Sequence, residues 1–352
     1  MKIAIVGAGV CGLYLAKNLA QRGNEVFVFE KKKTIGKQCC SGLFSARLFD
    51  FFPEARQLET NQIGSCIINF PKRTIRIKFR PRFSVIDHAQ LDLLAGALAT
   101  QAGANIRTGQ NIDPAKLEKL FSEYDRVIGA DGALSTVRDY VCKDCAGQTH
   151  ADLHGLRVSD PRKNSSLKFW LGIQGFEQKR DNSDFVETWA TKNGFLWKIP
   201  RGNDIEWGIM EKPDLAPKLF NEFIQPGFNP CCATGVEPRQ IKIENIKSAI
   251  IPQGLVIPKN KKITLCGDAS GLTKPWSGGG VIWNLTQADQ LLKNFPDFIQ
   301  YRKDATRFFN LRIMAGKAAK FCAYTAGFHF PWIIPQNINL DGDYLLKFNR
   351  KI

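Results

Sequence analysis

The chain has 352 residues, of which 44% are apolar, so it is long enough to bury the core of one large or two modest domains. This composition excludes a disordered chain, a collagen-like chain and a small disulfide scaffold. Lysine and arginine number 49, and aspartate and glutamate number 33, so the formal net charge is +16 with histidine neutral. Such a charge favours anionic partners, namely phosphates, acidic lipid surfaces, nucleic acid or an acidic protein, without choosing among them.

Ten cysteines are spread along the chain, and two pairs of them are sequence neighbours. We interpret them as reduced thiols of a cytoplasmic protein, because a chain of this size needs no disulfide framework. Lys2 precedes a run of small and apolar residues from Ile3 to Ala16, but the glycines inside that run argue against a signal peptide. No stretch elsewhere approaches the roughly 18 to 20 apolar residues of a bilayer span. We therefore expect a cytoplasmic protein whose contact with a membrane, if any, is peripheral.

The first 30 residues predict a β-α-β unit. A β-branched strand at 2–6 ends at a glycine, a helix fits 11–22, and residues 25–30 alternate like a strand. A helix at 89–101 and a buried strand at 124–129 continue the pattern. These elements predict an α/β fold with a parallel, Rossmann-like sheet.

Between about residues 155 and 210 the pattern changes to short alternating segments separated by turn residues. This pattern indicates an antiparallel sheet. A helix fits 215–224, a strand fits 262–266, and a long helix at 279–292 returns the chain to the first domain. We therefore predict a discontinuous Rossmann-like nucleotide-binding domain at 1–150 and 240–295, an inserted antiparallel-sheet substrate domain at 151–239, and a helical or irregular C-terminal region at 296–352.

A glycine motif lies between the first strand and the first helix. Gly7 would make the turn, Gly9 would let a pyrophosphate reach the backbone, and Gly12 would pack the helix on the strand. The helix N-terminus would then face the phosphates. Glu30, at the end of the next strand, would accept hydrogen bonds from an adenosine ribose. The motif thus predicts a dinucleotide site rather than a plain glycine-rich turn.

A second motif follows the strand at 262–266. Asp268, next to Gly267, can hold a ribityl hydroxyl, and a glycine run at 278–280 opens a helix at Val281. The N-terminal dipole of that helix can face the edge of a flavin where negative charge gathers on reduction. Asp131 and Gly132 end another strand and fit contacts to both pyrophosphate and riboflavin. The alternative is an ordinary capped helix start.

Together these three motifs resemble the FAD-dependent oxidoreductases with the para-hydroxybenzoate hydroxylase type of fold. Within that superfamily the sequence is most similar to the geranylgeranyl reductase family. Residues 40–45 resemble its Cys-x-Gly-x-x-Ser loop beside the flavin, and residues 85–88 resemble its Val-Ile-Asp-Arg helix start. Residues 195–200 resemble its Tyr-x-Trp-x-Phe-Pro motif, and Gly271 stands where aromatic hydroxylases usually carry histidine.

The resemblance implies FAD as the cofactor and assigns residues to three roles. Cys40 is the candidate catalytic residue, as a thiol that contacts substrate or delivers a proton; the alternative is a buried structural cysteine. The predicted FAD contacts are Gly7, Gly9, Gly12, Glu30, Lys31, Ser41, Gly42, His88, Asp131, Gly132, Gly267, Asp268, Pro275, Gly278, Gly279, Gly280 and Val281. The predicted substrate contacts are Phe195, Trp197, Pro200 and Trp276.

The implied activity is saturation of isolated double bonds in geranylgeranyl chains on a lipid, a diphosphate or a quinone. The sequence contains no second nucleotide fingerprint, so an external electron donor is expected, either NAD(P)H or an acidic ferredoxin or flavodoxin. Two departures from the family pattern affect the substrate: Phe195 replaces tyrosine, and His88 replaces an arginine. The alternative activity is that of a monooxygenase or halogenase, because halogenases carry a Trp-x-Trp-x-Ile-Pro signature similar to residues 195–200.

Three further features of the sequence have both a functional and a structural interpretation. Cys142, Cys145, His150 and His154 have metal-ligand types, but their spacing is far shorter than in zinc fingers, so we predict no metal site. Tryptophans on the antiparallel strands are either core or the wall of a prenyl site. Basic runs at 31–33, 259–262 and 350–351 could add about 1 kcal/mol per cation near an anionic bilayer. They lack interleaved aromatic residues, so nucleic acid is not an expected partner.

Overall fold

The computed structural model describes residues 1–36, 39–142, 167–225, 241–341 and 343. Two sheets and the helices around them form this part of the chain. Its α-helices are α1 (Val10–Gln21), α2 (Leu48–Phe51), α3 (His88–Gln101), α4 (Pro114–Glu123), α5 (Thr136–Val141), α6 (Ala216–Ile224), α7 (Val281–Asn294) and α8 (Phe298–His329).

The first sheet is parallel and has five strands. Its strands are β1 (Lys2–Val6), β2 (Glu25–Phe29), β6 (Asn105–Arg107), β7 (Arg126–Gly129) and β13 (Ile263–Leu265), and their order across the sheet is β13-β7-β1-β2-β6. The central strand β1 is apolar on both faces, with Ile3, Ala4 and Ile5 fully buried, because helices cover both sides of a parallel sheet. This arrangement confirms the predicted Rossmann-like layer.

The second sheet is mostly antiparallel and has nine strands. They are β3 (Leu43–Ser45), β4 (Glu59–Phe70), β5 (Arg73–Ile86), β8 (Lys168–Glu177), β9 (Phe185–Ala190), β10 (Phe195–Pro200), β11 (Ile205–Glu211), β12 (Glu244–Gln253) and β14 (Asn337–Leu340). Their order is β12-β8-β11-β10-β9-β4-β5-β14, with β3 paired to β5. The pairs β4 with β9 and β5 with β14 are parallel. The sheet therefore combines hairpins with strands that return from distant parts of the chain.

The second sheet extends beyond the region predicted for the substrate domain. Strands β3, β4 and β5 come from residues 43–86, and β12 and β14 come from residues after 243. Residues 151–239 supply only β8 to β11 and α6 within the described part. Long cationic side chains alternate with apolar ones on β5, so this hairpin lacks the aromatic-rich pattern that drew attention to β8–β11. The domain limits predicted from the sequence pattern therefore do not coincide with the limits of the second sheet.

Helix α8 connects the two sheets. Asp297 caps its start by accepting hydrogen bonds from the backbone N–H groups of Ile299 and Gln300, both at 2.9 Å. Its first half packs under the parallel sheet, where the Tyr301 hydroxyl donates to the carbonyl oxygen of Leu265 at 3.0 Å. Its second half reaches the antiparallel sheet, where the Tyr324 hydroxyl donates to the carbonyl oxygen of Gly194. Among the described residues, no helix is both long enough and apolar enough to cross a bilayer.

Candidate active site

The loop between β1 and α1 forms a narrow backbone turn. Gly7 has φ +106°, and a Cβ atom on it would lie 2.3 Å from the carbonyl oxygen of Ala130. A Cβ atom on Gly12 would lie 2.2 Å from the carbonyl oxygen of Gly7, so glycine is required at both positions. A Cβ atom on Gly9 would meet nothing within 4 Å. The backbone at Gly9 therefore borders open space at the start of α1, where a phosphate can approach the first N–H groups of the helix.

Glu30 lies beside this loop. Its Oε2 atom accepts a hydrogen bond from the backbone N–H of Ala8 at 2.9 Å, and its Oε1 atom accepts one from the backbone N–H of Lys32 at 2.9 Å. These two bonds fix the carboxylate at the carboxyl end of β2, and each oxygen keeps a further lone pair for a hydroxyl group. Lys31, the next residue, is exposed.

The carboxyl end of β7 adds Asp131 and Gly132 to the same edge of the sheet. Asp131 accepts hydrogen bonds from the Ser135 hydroxyl at 2.5 Å and from the backbone N–H of Val137 at 3.2 Å. Burial raises the pKa of Asp131, and these hydrogen bonds oppose that rise. Gly132 has φ +86°, and a Cβ atom there would meet nothing within 4 Å. Two backbone turns with open space beside them, at Gly9 and Gly132, thus follow neighbouring strands of the parallel sheet.

The loop before α7 carries the second group of predicted FAD contacts. Gly267 and Gly278 both have positive φ, +74° and +67°. The side-chain amide of Asn284 donates to Oδ1 of Asp268 at 2.8 Å, which orients that carboxylate at the start of α7. A Cβ atom on Gly280 would lie 3.0 Å from both of these atoms, so a larger residue would disturb the pair. Pro275, Gly279 and Val281 lie on the same loop and helix start.

These residues fit FAD. Helices α1 and α7 both begin at glycines and have no acidic residue in the first turn, so both N-termini suit a partner with negative charge. The buried Oδ1 atom of Asn284 has no hydrogen-bond partner within the described part of the chain, which leaves an acceptor for a ligand at this loop. Gly9 and Gly132 leave open the space that a pyrophosphate requires.

The loop that carries Cys40 is fixed to the antiparallel sheet. Gly42 has φ +64°, and a Cβ atom on it would lie 2.3 Å from the carbonyl oxygen of Ile86. Arg201 donates from Nη1 to the carbonyl oxygen of Ser41 at 2.8 Å and to Oε2 of Glu206 at 2.8 Å. Arg201 therefore holds the backbone next to Cys40.

Glu206 extends this connection to Trp197. The Trp197 indole donates from Nε1 to Oε1 of Glu206 at 3.0 Å. The Glu206 carboxyl group is fully buried, and burial raises its pKa to about 7 although Arg201 and Trp197 lower it. Arg201 and Glu206 were missed by sequence reasoning. The only signal was their position on either side of a tight turn between two strands.

His88 is buried beside Cys40. Its side chain is buried, its ring contacts Phe44 edge to face, and its Nε2 atom lies 3.5 Å from Oδ1 of Asp92. Burial by itself lowers the pKa of His88, but the Cys40 sulfur and the Asp92 carboxylate outweigh it and raise the pKa to about 10. The structure thus brings His88 together with Cys40, one of the other predicted site residues.

The predicted substrate residues fall into two groups. Phe195 and Trp197 on β10 pack together, with ring centroids 5.8 Å apart, in an apolar cluster that also contains Trp170 and Met210. Pro200 ends the same strand and is buried. Trp276 belongs to a different cluster, where its ring contacts Trp283. The remaining tryptophans of the sheet, Trp189 and Trp207, pack against α6 instead.

Lys274 is another buried residue that sequence reasoning missed. Its Nζ atom lies 2.5 Å from Oδ1 of Asp343, and both side chains are buried. Arg47 lies 3.6 Å from the same carboxylate. Nothing in the sequence near Lys274 indicates this network, because its partners lie far away along the chain.

The prediction of no metal site at Cys142, Cys145, His150 and His154 cannot be compared with the structure. Cys145, His150 and His154 lie outside the described residues, and only Cys142, which is buried, is described.

The fold and the two glycine loops define an FAD-dependent oxidoreductase with the para-hydroxybenzoate hydroxylase type of fold. A sequence model of the NAD(P)-binding Rossmann-like domain matches residues 5–51. The structure is similar to a geranylgeranyl bacteriochlorophyll reductase-like protein from Thermoplasma acidophilum, with a TM-score of 0.67 and 18% identity over 91% of this chain and 86% of that one. It is similar to p-nitrophenol 4-monooxygenase from Pseudomonas putida, with a TM-score of 0.64 and 15% identity over 91% and 88% of the two chains. The predicted fold class is confirmed.

Among proteins of named activity, the chain is similar to digeranylgeranylglycerophospholipid reductase 1 of Methanosphaera stadtmanae. The two are 22% identical over 298 residues, which cover 80% of this chain and 71% of that protein. The likeness extends well beyond the nucleotide-binding loops.

Proposed function

We propose that this protein is an FAD-dependent reductase that saturates isolated double bonds of a geranylgeranyl chain carried by a lipid, a diphosphate or a quinone. One observation carries the proposal. The loop that carries Cys40 and strand β10 both resemble motifs of geranylgeranyl reductases. Arg201 joins them, since its hydrogen-bond partner Ser41 is 160 residues away in sequence. The named activity of the relative from Methanosphaera stadtmanae supports the same substrate class.

The chain's own residues supply binding, orientation and a proton. Reduced FAD, when bound, supplies hydride to one alkene carbon. The apolar cluster around Phe195 and Trp197 would orient the prenyl chain and exclude water. Both effects are needed because an unactivated alkene accepts hydride poorly. Cys40 would deliver the proton to the other carbon, and His88, buried beside it, would hold a proton next to the thiol.

The proposed activity also requires an electron donor and access to prenyl lipids. The protein would receive electrons from a transient external donor, either NAD(P)H or an acidic ferredoxin or flavodoxin, which its net charge of +16 would attract. It would work in the cytoplasm, at the membrane face where prenyl lipids are found.

An anaerobic titration tests the proposed activity. The protein-bound FAD is reduced chemically, a geranylgeranylated glycerophospholipid is added, and flavin absorbance is followed. We expect the flavin to reoxidise with the unsaturated lipid and to stay reduced with the matched fully saturated lipid. A flavin that stays reduced with both lipids until air enters would overturn the proposal.

The second candidate is a monooxygenase or halogenase that uses dioxygen on an aromatic or lipophilic substrate. The structural likeness to p-nitrophenol 4-monooxygenase favours it, with a TM-score of 0.64 against 0.67 for the reductase-like protein. It predicts substrate-stimulated consumption of NAD(P)H and dioxygen. The titration separates the two candidates, because only the reductase transfers its electrons without dioxygen.

A further inference from the structure

Six large apolar side chains are exposed on one part of the molecule. They lie on α8 and on the turn that follows it, whereas the rest of the described chain exposes only Met1, Leu93 and Ile246 to a comparable degree. We call this set the apolar face; it consists of Leu311, Met314, Phe321, Phe330, Trp332 and Ile333. Phe321, Trp332 and Leu311 are 72%, 70% and 67% exposed, values unusual for side chains of this size.

The helical members of the apolar face share one side of α8. Leu311, Met314 and Phe321 are spaced by three and seven residues, which places them on one side of a helix. Small residues between them, such as Ala315 and Ala318, are exposed as well. This outer side of α8 is therefore almost continuously apolar.

The opposite side of α8 is already occupied. Phe328 packs edge to face on Phe70 with ring centroids 5.5 Å apart, and a Cβ atom on Gly316 would lie 2.8 Å from the Trp276 ring. Lys320 lies 4.5 Å over the ring of Trp170. Because the inner side provides the packing that holds the helix, the outer apolar side is not needed for the core of the described protein.

The chain segment that carries the apolar face has charges of one sign. The sequence from residue 305 to residue 340 contains no aspartate or glutamate. It contains Arg307 and Lys317, both exposed on α8. A partner for this face must therefore accept apolar side chains and carry negative charge.

A basic groove adjoins the turn that carries Trp332 and Ile333. Arg73 on β5 donates to the carbonyl oxygen of Ile334 at 2.7 Å, and β14, which follows the turn, pairs in parallel with β5. Four cations of β5 line an open groove of 550 Å³ whose one acidic lining residue is Asp184. These four cations, Arg76, Lys78, Arg80 and Arg82, are all exposed.

We propose that the apolar face and the basic groove together form a docking surface for a lipid bilayer that contains anionic lipids. Aromatic and aliphatic side chains would enter the boundary between headgroups and acyl chains, and the cations would contact lipid phosphates. A second copy of this chain is a poor partner, since its own face carries the same positive charge. The inference depends on the surface of the protein and not on the proposed reaction.

Vesicle sedimentation of the full chain tests the proposal, with phosphatidylcholine vesicles that contain phosphatidylglycerol compared with phosphatidylcholine alone. We expect binding to the anionic vesicles that weakens as salt is added. The double variant Phe321→Ser/Trp332→Ser should lower the binding constant by about tenfold or more, because two apolar side chains no longer enter the bilayer. The pair Lys78→Gln/Arg80→Gln should lower it by about tenfold at low salt.

The control is Leu93→Ser, which removes an exposed apolar side chain outside the apolar face, on α3. It should bind vesicles like the wild type. Equal binding by the control and the double variant would overturn the proposal, as would a wild-type dimer in light scattering that the double variant abolishes. Flavin reoxidation by detergent-dispersed lipid should be the same in the wild type and the double variant, so a failure of docking is distinguishable from a failure of the proposed reaction.

Discussion

Arg201 and Glu206 form a buried ion pair where the loop that carries Cys40 meets the end of β10, with Nη1 and Oε2 2.8 Å apart. The Glu206 side chain is fully buried and Arg201 is 10% exposed, so neither charge is well solvated alone. We predict that Arg201→Met lowers the free energy of unfolding by about 3–5 kcal/mol, because it leaves Glu206 buried without its partner.

The double variant Arg201→Met/Glu206→Gln provides the matched comparison. Glutamine keeps an acceptor for the Trp197 indole but carries no charge, so the double variant should recover most of the lost stability. Urea unfolding of the wild type, both single variants and the double variant measures this cycle. Additive losses would show that the two side chains do not act as a pair.

Cys40 is the residue to which the proposal gives the chemical role. We predict that Cys40→Ala slows saturation of the prenyl chain by about a hundredfold or more, the usual contribution of a positioned general acid. Cys39→Ala is the control, since it removes the neighbouring thiol of the same loop. Both variants should retain FAD, which a flavin absorbance spectrum checks. Equal rates for the two variants would mean that the proton comes from another group.

The β1–α1 loop allows a test at the level of an element. Gly9 has φ −81° and no neighbour that a Cβ atom would touch, so Gly9→Ala should leave the melting temperature nearly unchanged. Its methyl group would enter the space that we assign to the pyrophosphate, so FAD should bind about tenfold more weakly. Calorimetry of the protein without flavin and fluorescence titration with FAD measure the two effects.

Gly12→Ala should behave in the opposite way. Its Cβ atom would lie 2.2 Å from the carbonyl oxygen of Gly7, so the protein should lose stability before any flavin is added. If Gly9→Ala binds FAD as tightly as the wild type, the open space at Gly9 does not hold the pyrophosphate.

Local elements of the nucleotide-binding half were predictable from sequence. The strand predicted at 2–6 forms as Lys2–Val6, and the helix predicted at 11–22 forms as Val10–Gln21, because apolar periodicity and flanking glycines agree there. The hairpin of β4 and β5 was missed, since β4 is rich in uncharged polar residues and β5 alternates exposed cations with apolar residues. Helix α8 forms as Phe298–His329, within the region at 296–352 that was predicted to be helical or irregular.

At the level of the whole molecule, the site depends on contacts that sequence spacing does not show. Glycine motifs identified the two loops that fit FAD, since their chemistry is local. The contact between Ser41 and Arg201, the burial of His88 beside Cys40 and the pair of Lys274 with Asp343 all depend on how distant strands and loops meet. The sequence therefore predicted the cofactor, but it did not predict how the residues around Cys40 and Lys274 are arranged.

The mass of the product formed without dioxygen tests the central claim most directly. Wild-type protein with bound FAD, a chemical reductant and a geranylgeranylated glycerophospholipid is incubated anaerobically, and the lipid is analysed by mass spectrometry. We predict a lipid whose mass rises by whole pairs of hydrogen atoms, with no gain of oxygen or halogen. An unchanged lipid without dioxygen, together with an oxygenated or halogenated product in air, would contradict it.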